Sequence, residues 1–337
     1  MRYKLFGRSG LRVSEMALGT MTFGMEWGWG AEKEESRQIF DAYANAGGNF
    51  IDTANRYTEG SSERMLGEFI HADRDHFVLA TKYSLHDRLN DVNFSGNSRK
   101  NMMRSVEASL KRLQTEYIDL LWLHAWDFTT PVAEVLRGLD DLIKSGKVHY
   151  IGISDTPAWI VSQANTLAEL KGWTAFTGLQ LEYSLMQRTP ERDLIPMAKA
   201  FGMAVTPWAP MAGGALSGKY LRGENGRVPE KSLRRSEAKT QIVIKLIEVA
   251  ERMQVSPAQL AIRWTMQKDY LSIPIVGARK LSQMAESLGC VNFNIPKEEL
   301  EILNEASKIE MGFPHDFLAG EDVKKILFGG LKDQFDF

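Results

Sequence analysis

Eight short apolar runs, separated mostly by stretches with helical periodicity, limit the fold of this 337-residue chain more than any other feature. The runs are Glu15–Leu18, Phe50–Asp52, Phe77–Lys82, Ile118–His124, Tyr150–Ser154, Thr177–Leu181, Ala204–Ala209 and Ser272–Val276. Several are almost continuous in apolar residues, as in Ile118-Asp119-Leu120-Leu121-Trp122-Leu123. Such runs suit strands covered on both faces, as in a parallel sheet. Between them, Met102, Val106, Leu110 and Leu113 recur on one helical face behind Asn97-Ser98 as a candidate N-cap. Val135, Leu136, Leu139, Leu142 and Ile143 form a second stripe, opened by Pro131 and stopped by Gly146. Ser256-Pro257 opens a third.

Strands alternating with helices predict an α/β chain with a parallel sheet and helical crossovers, and eight units close most simply as a (β/α)8 TIM barrel. An open doubly wound sheet usually carries a Gly-rich turn after its first strand. Here that turn reads Gly19-Thr20-Met21-Thr22-Phe23-Gly24, which does not match G-x-G-x-x-G. A single domain is expected over residues 1–337. Residues 3–14 read as an N-terminal β-hairpin, 213–235 as an insertion after strand seven, and 310–337 as a C-terminal tail, with extra loops or helices in the last two places.

Composition narrows the partners. Lys and Arg total 41 against 43 Asp and Glu, a balance with no footprint for nucleic acid or anionic membrane. The pair Arg234-Arg235 reads as a solvated face. One cysteine, Cys290, excludes an internal disulfide and a cysteine-based zinc site, so no metal is expected. No run reaches the roughly 18 apolar residues of a spanning helix, and the first residues lack a secretory h-region. These points predict a cytoplasmic protein.

In a barrel of this kind, catalytic groups sit at the C-terminal ends of strands and in the loops beyond them. Strand two ends in Asp52, strand three in Lys82 and strand four in His124, and Tyr57 follows in the loop after Asp52. A phenol titrates near about 10, too high for ready proton exchange at neutral pH. A neighbouring ammonium, Lys82, is expected to lower that value, with Asp52 as its counter-charge. His124 can hydrogen-bond a carbonyl oxygen. The quartet suits proton donation to an alkoxide forming as hydride arrives.

These residues carry a resemblance. Asp52-Thr53-Ala54-Asn55-Arg56-Tyr57-Thr58-Glu59-Gly60-Ser61-Ser62-Glu63 resembles the aldo-keto reductase signature D-T-A-x-x-Y-G-x-G-x-S-E. Ala80-Thr81-Lys82, Tyr117 through His124, and Leu18-Gly19-Thr20 resemble the family's lysine strand, histidine strand and first-strand end. The likeness spans essentially the whole chain. It implies a (β/α)8 barrel that passes hydride between NADPH and a small-molecule carbonyl, without a Rossmann motif. NADH would be the less favoured cofactor. Tyr57 would be the general acid/base, Asp52 and Lys82 would tune it, and His124 would orient the carbonyl.

The resemblance also implies cofactor positions. Ser154, Asp155 and Gln180 would hold the nicotinamide carboxamide, and Trp208 would stack on the ring. The segment from Ala209, Pro210 and Met211 through Gly213, Leu216, Gly218 and Lys219 would cover the pyrophosphate. Gly277, Arg279, Gln283 and Glu286 would meet the adenosine end, Arg279 facing a 2′-phosphate for which its planar fork is suited. Three positions depart from the pattern: Asp155 stands for Asn, Thr58 for Gly and Ser287 for Asn. Trp27 and Trp126 are the leading candidates for substrate contact. Other aromatics in these loops and the tail, including Trp29, Phe128, Phe313 and Phe317, would make the mouth apolar if they rim it. Two other readings stay open: a cofactor-sensing regulatory subunit of the same fold with little turnover, and a Schiff-base enzyme using Lys82, which the Asp52 charge disfavours.

Overall fold

A computed structural model of the chain describes residues 1–335, so Asp336 and Phe337 of the expected tail lie outside the described residues. Ten strands form: β1 (Tyr3–Leu5), β2 (Arg12–Ser14), β3 (Ala17–Gly19), β4 (Phe50–Asp52), β5 (Val78–Tyr83), β6 (Ile118–Leu123), β7 (Val148–Ser154), β8 (Gly178–Glu182), β9 (Ala204–Trp208) and β10 (Ile275–Val276). β1 and β2 pair antiparallel as the predicted hairpin. The other eight make one parallel sheet in the order β10-β3-β4-β5-β6-β7-β8-β9.

Closure comes from the last run. Pro274 lacks an N–H and interrupts its pairing, so the predicted strand Ser272–Val276 is reduced to Ile275–Val276. Before the proline, Val205 donates to Leu271 and Ile273 donates to Val205, both at 2.9 Å, and Ser272 bridges Val205. After it, β10 pairs with β3. The run therefore joins both edges, and the sheet closes as a (β/α)8 barrel with its strands in the predicted places, their ends shifted by no more than three residues.

Helices fill the connections between the barrel strands and continue after β10. They are α1 (Lys33–Asn45), α2 (Ser61–Ile70), α3 (Arg99–Leu113), α4 (Val132–Lys144), α5 (Ala158–Lys171), α6 (Leu194–Phe201), α7 (Glu237–Met253), α8 (Pro257–Met266), α9 (Leu281–Leu288), α10 (Lys297–Ala306), α11 (His315–Ala319) and α12 (Glu321–Leu327). Their starts follow local chemistry. The Ser98 side chain caps α3, and Ser256 forms a reciprocal capping box with Gln259 at α8. Two helices, α7 and α8, separate β9 from β10, and α10 packs on α7. None of the helices in the described residues is long and apolar enough to cross a membrane.

One end of the barrel is sealed by the hairpin. The fully buried Phe6 ring lies 5.6 Å from Phe50 and 6.1 Å from Trp122, both edge-on. That approach needs glycine at 178, where a Cβ would stand 2.5 Å from Phe6 Cζ. With the N-terminal end plugged, the strands' C-terminal end is left for a site.

Candidate active site

A cavity of about 710 Å³ opens at the C-terminal end of the strands. Asp52, the last residue of β4, lines it together with Tyr57, His124 and Gln180. Lys82, in β5, is fully buried behind them. Its Nζ lies 2.5 Å from Asp52 Oδ2, donates to the Thr53 carbonyl at 2.8 Å, and sits 4.8 Å from the centre of the Tyr57 ring. Gln180 Nε2 donates to the other Asp52 oxygen at 2.9 Å. The Tyr57 and His124 rings stand perpendicular with centroids 6.0 Å apart. Groups from four separate strands and the loops after them, Asp52 with Tyr57, Lys82, His124 and Gln180, thus meet in one place.

Their electrostatics follow from enclosure. Burial works against the Lys82 ammonium, but the Asp52 carboxylate and Tyr57 outweigh it and hold the lysine above its usual value. Burial, aided by Lys82, keeps His124 well below the usual imidazole range and therefore neutral at pH 7. The Tyr57 phenol is raised, because burial outweighs the opposing pull of Lys82. This corrects the expected lowering: the ammonium moderates the phenol's affinity for its proton without reversing the effect of burial. Tyr57 therefore holds its proton at neutral pH.

The loop after Tyr57 is unusual. Thr58 and Glu59 take positive φ, 46° and 53°, where glycine is the easier residue. The Thr58 hydroxyl stabilises the turn by donating to the Phe23 carbonyl at 2.6 Å and accepting from the Ser62 N–H at 3.2 Å. The neighbouring loop brings Trp27 to the cavity, its ring edge-on to Tyr57 at 6.5 Å. Glu59 accepts from Trp27 Nε1 at 3.2 Å and pairs with Arg56, which stacks over the Trp27 ring.

Along the cavity, Trp208, Ala209, Pro210, Met211, Gly213 and Lys219 line one wall. Ala209 has φ 52°, which ends β9 one residue earlier than predicted. Asp155 also faces the cavity and accepts from Trp208 Nε1 at 3.2 Å. Enclosure pushes its carboxyl above the usual range despite that bond. Gly277, Arg279, Gln283 and Glu286 line the far end, where Gln283 accepts the Arg279 backbone N–H at 2.9 Å.

Five expected residues do not line the cavity. Lys82 acts from behind, as described. Ser154 is buried at the end of β7, in register with the cavity-lining Gln180, its Oγ lacking a hydrogen-bond partner among the described residues. Leu216 is fully buried in the core. Gly218 takes φ 78° to end the turn Ala212–Ser217 and lies next to Ile247. Trp126 is half-buried and packs against the core, because its loop is tied down through its own N–H to the Asp155 carbonyl. Of the other aromatics, Phe313 and Phe317 are 85% and 57% exposed and lie outside the cavity lining.

The structure adds residues that sequence reasoning missed. Arg56, Leu85, Arg222, Arg227 and Arg234 all line the cavity. Arg234 is no solvated face: it pairs with Glu182 at the end of β8. Arg227 lies over the Trp29 ring at 5.4 Å, and burial together with Arg234 and Arg279 lowers its proton affinity. The insertion thus reaches back over the mouth from β9, carrying its cations inward. Its run of Lys and Arg, following the C-terminal end of a strand, was the available signal.

This arrangement can hold a long anionic ligand. Three neighbouring guanidiniums, two of them (Arg227 and Arg279) without an ion pair among the described residues, need phosphate-like charge at one end. At the other, the unpartnered Ser154 Oγ and His124 Nδ1 need polar partners. A dinucleotide phosphate such as NADP(H) fits both demands.

Comparison with known proteins agrees with this geometry. The chain is similar to the aryl-alcohol dehydrogenase [NADP(+)] of Phanerodontia chrysosporium, 39% identical over 91% of this chain and 86% of that protein. It is 37% identical to a norsolorinic acid reductase of Aspergillus flavus, over 93% of this chain and 83% of the relative. It is 35% identical to the aldo-keto reductase ausK of Emericella nidulans, over 95% and 85%. The model of the aldo/keto reductase family matches residues 15–308, from the first barrel strand to just beyond α10. With eight strands closed around a pocket that joins a phenol to a buried ammonium, and with that match, the chain belongs to the aldo/keto reductase family.

Proposed function

We propose that this protein reduces aldehydes or ketones to alcohols with NADPH, Tyr57 serving as the proton donor. As a member of its family it is an NADP-dependent oxidoreductase. The observation that carries the proton assignment is the contact set around Lys82, 2.5 Å from Asp52 and 4.8 Å from the Tyr57 ring. Lys82 stays charged, His124 stays neutral, and Tyr57 keeps its proton until an alkoxide forms beside it. The neutral His124 imidazole hydrogen-bonds the carbonyl oxygen, and Lys82 stabilises the phenolate left after transfer.

The bound cofactor supplies the hydride. Ser154, Asp155 and Gln180 would hold its carboxamide, and Trp208 would pack on the ring. The segment Ala209 through Lys219 covers the pyrophosphate. Arg279 takes the 2′-phosphate, with Gln283 and Glu286 at the adenosine; Arg227 and Arg234 add charge to the same end. Trp27 stands edge-on to Tyr57, and Leu85 and Met21 add apolar lining to the same cavity, which suits a flat aromatic carbonyl. A relative named for aryl alcohols supports that choice. One barrel domain carries the whole site. Its single buried thiol, Cys290, suits a reducing cytoplasm.

The test mixes purified protein with NADPH and a panel of aromatic and aliphatic aldehydes and follows loss of the reduced-nicotinamide absorbance. Turnover is expected, fastest with aromatic aldehydes. Tyr57→Phe should lower kcat by roughly 10²–10⁴ while NADPH affinity stays within about twofold. Full activity in that variant would remove Tyr57 from the proton path.

A further inference from the structure

The charges around the cavity floor do not balance. Lys82 and Asp52 neutralise each other at 2.5 Å, and His124 is neutral. Asp155 is left over. Among the described residues it forms no ion pair, and beyond its own backbone N–H its side chain is bonded by the neutral Trp208 indole at 3.2 Å.

Its backbone fixes where the carboxylate points. Asp155 follows β7 with φ 40°, a left-handed conformation that Asp and Asn tolerate better than other side-chain-bearing residues. Its N–H donates to the Gln180 carbonyl and its own carbonyl accepts from Trp126 N–H, each at 3.4 Å. The residue is thereby pinned between two neighbouring strand ends with its side chain on the cavity. Its charge reaches the reacting groups, since it adds to the proton affinity of Tyr57 and its ionised form is favoured by Lys82 against the effect of burial. A neutral amide could accept the same indole N–H. The negative charge is therefore surplus to what Trp208 requires.

We propose that the Asp155 carboxylate sets the redox poise of this site by favouring the cationic, oxidised nicotinamide over the neutral, reduced one. The proposal rests on the NADP(H) reading above. In the forward reaction a hydride leaves the reduced ring with both electrons of its C–H bond and forms a new C–H bond at the carbonyl carbon. The carbonyl π pair moves to oxygen, which takes the Tyr57 proton. The carbonyl is reduced and the ring is oxidised, gaining one positive charge. Asp155 supplies a fixed negative charge for that positive one, so it draws hydride toward the carbonyl and tightens the hold on the oxidised cofactor. One partly screened charge beside the ring is expected to shift a charged-against-neutral equilibrium by about tenfold.

The experiment measures dissociation constants of NADP⁺ and NADPH at pH 8 by calorimetry, for wild type, Asp155→Asn and Asp155→Ser. Asn preserves size, the left-handed backbone and an acceptor for Trp208; Ser removes the charge with a different shape and carries the measurement if Asn fails to fold. The ratio Kd(NADP⁺)/Kd(NADPH) should rise about tenfold in both variants, equivalent to raising the bound two-electron couple by about 30 mV. A ratio unchanged in a folded Asp155→Asn, or, where Asn does not fold, unchanged in Asp155→Ser, would overturn the proposal, as would equal weakening of both cofactor forms. Failure of wild type to bind either form would instead overturn the functional reading on which it rests.

Discussion

Replacing Asp52 by Asn tests the electrostatic core of the site through stability alone. Asp52 and Lys82 are 2% and 0% exposed, and the ammonium has the carboxylate at 2.5 Å, the Thr53 carbonyl at 2.8 Å and the Tyr57 phenol as close partners, of which only the carboxylate carries a compensating charge while Tyr57 is protonated. Asn keeps an oxygen for Gln180, so shape and that hydrogen bond are retained while the counter-charge disappears. Removing one partner of a buried pair destabilises by about 3–5 kcal/mol. With an unfolding entropy near about 2.1 cal/mol/K per residue over this chain, Tm should fall by roughly 4–7 °C. The loss depends on pH in a defined direction. In wild type, Lys82 is raised above 10.5, so its stabilising contribution is complete below pH 10.5 and fades as pH rises through the folded value. In the variant, burial, the largest effect on Lys82, is opposed by Tyr57 alone, and Lys82 is expected to fall below 10.5. The penalty then grows as pH drops from 10.5 toward the new value. Thermal unfolding at pH 7 should therefore show a larger Tm gap from wild type than at pH 9.5. Adding Lys82→Met should recover part of the loss, because no stranded charge remains. An equal gap at both pH values, with no recovery in the double variant, would refute a stranded ammonium as the cause.

Arg279→Ala should weaken NADPH at least tenfold more than NADH in direct binding; equal loss for both would remove Arg279 from the 2′-phosphate. For carbonyl reduction, kcat/KM should stay level from pH 6 to 9 and decline only above pH 10, since His124 is already neutral and Tyr57 is raised. An inflection near pH 6.5 that His124→Gln abolishes would contradict the neutral imidazole. Phe6→Ala, at the sealed end, should destabilise by about 3–5 kcal/mol on denaturant unfolding while leaving kcat of the folded protein within about twofold. A large fall in kcat without destabilisation would mean that the plug and the site are coupled.

Much of this molecule is local and was therefore legible. Whether a run becomes strand or helix depends on apolar spacing and caps within about ten residues, so Ile118–Leu123 and the Ser98 and Ser256 caps appear where they were expected. Strand-end position then put Asp52, Lys82 and His124 at one mouth, and the motif around Tyr57 joined them. What the sequence alone determined was thus the list of elements and the identity of the reacting groups.

The tertiary structure decided everything that depends on a sum over distant neighbours. Trp126 and Trp27 look alike in sequence, yet one packs against the core and the other stands edge-on to Tyr57. Arg234 reads as an ordinary surface cation until Glu182, fifty-two positions away, draws it into the cavity. The sign of the Tyr57 shift is the clearest case. Lys82 predicts a lowering, burial predicts a rise, and only the completed enclosure fixes which is larger. Desolvation belongs to no residue in particular, because it is set by how much water the whole fold removes.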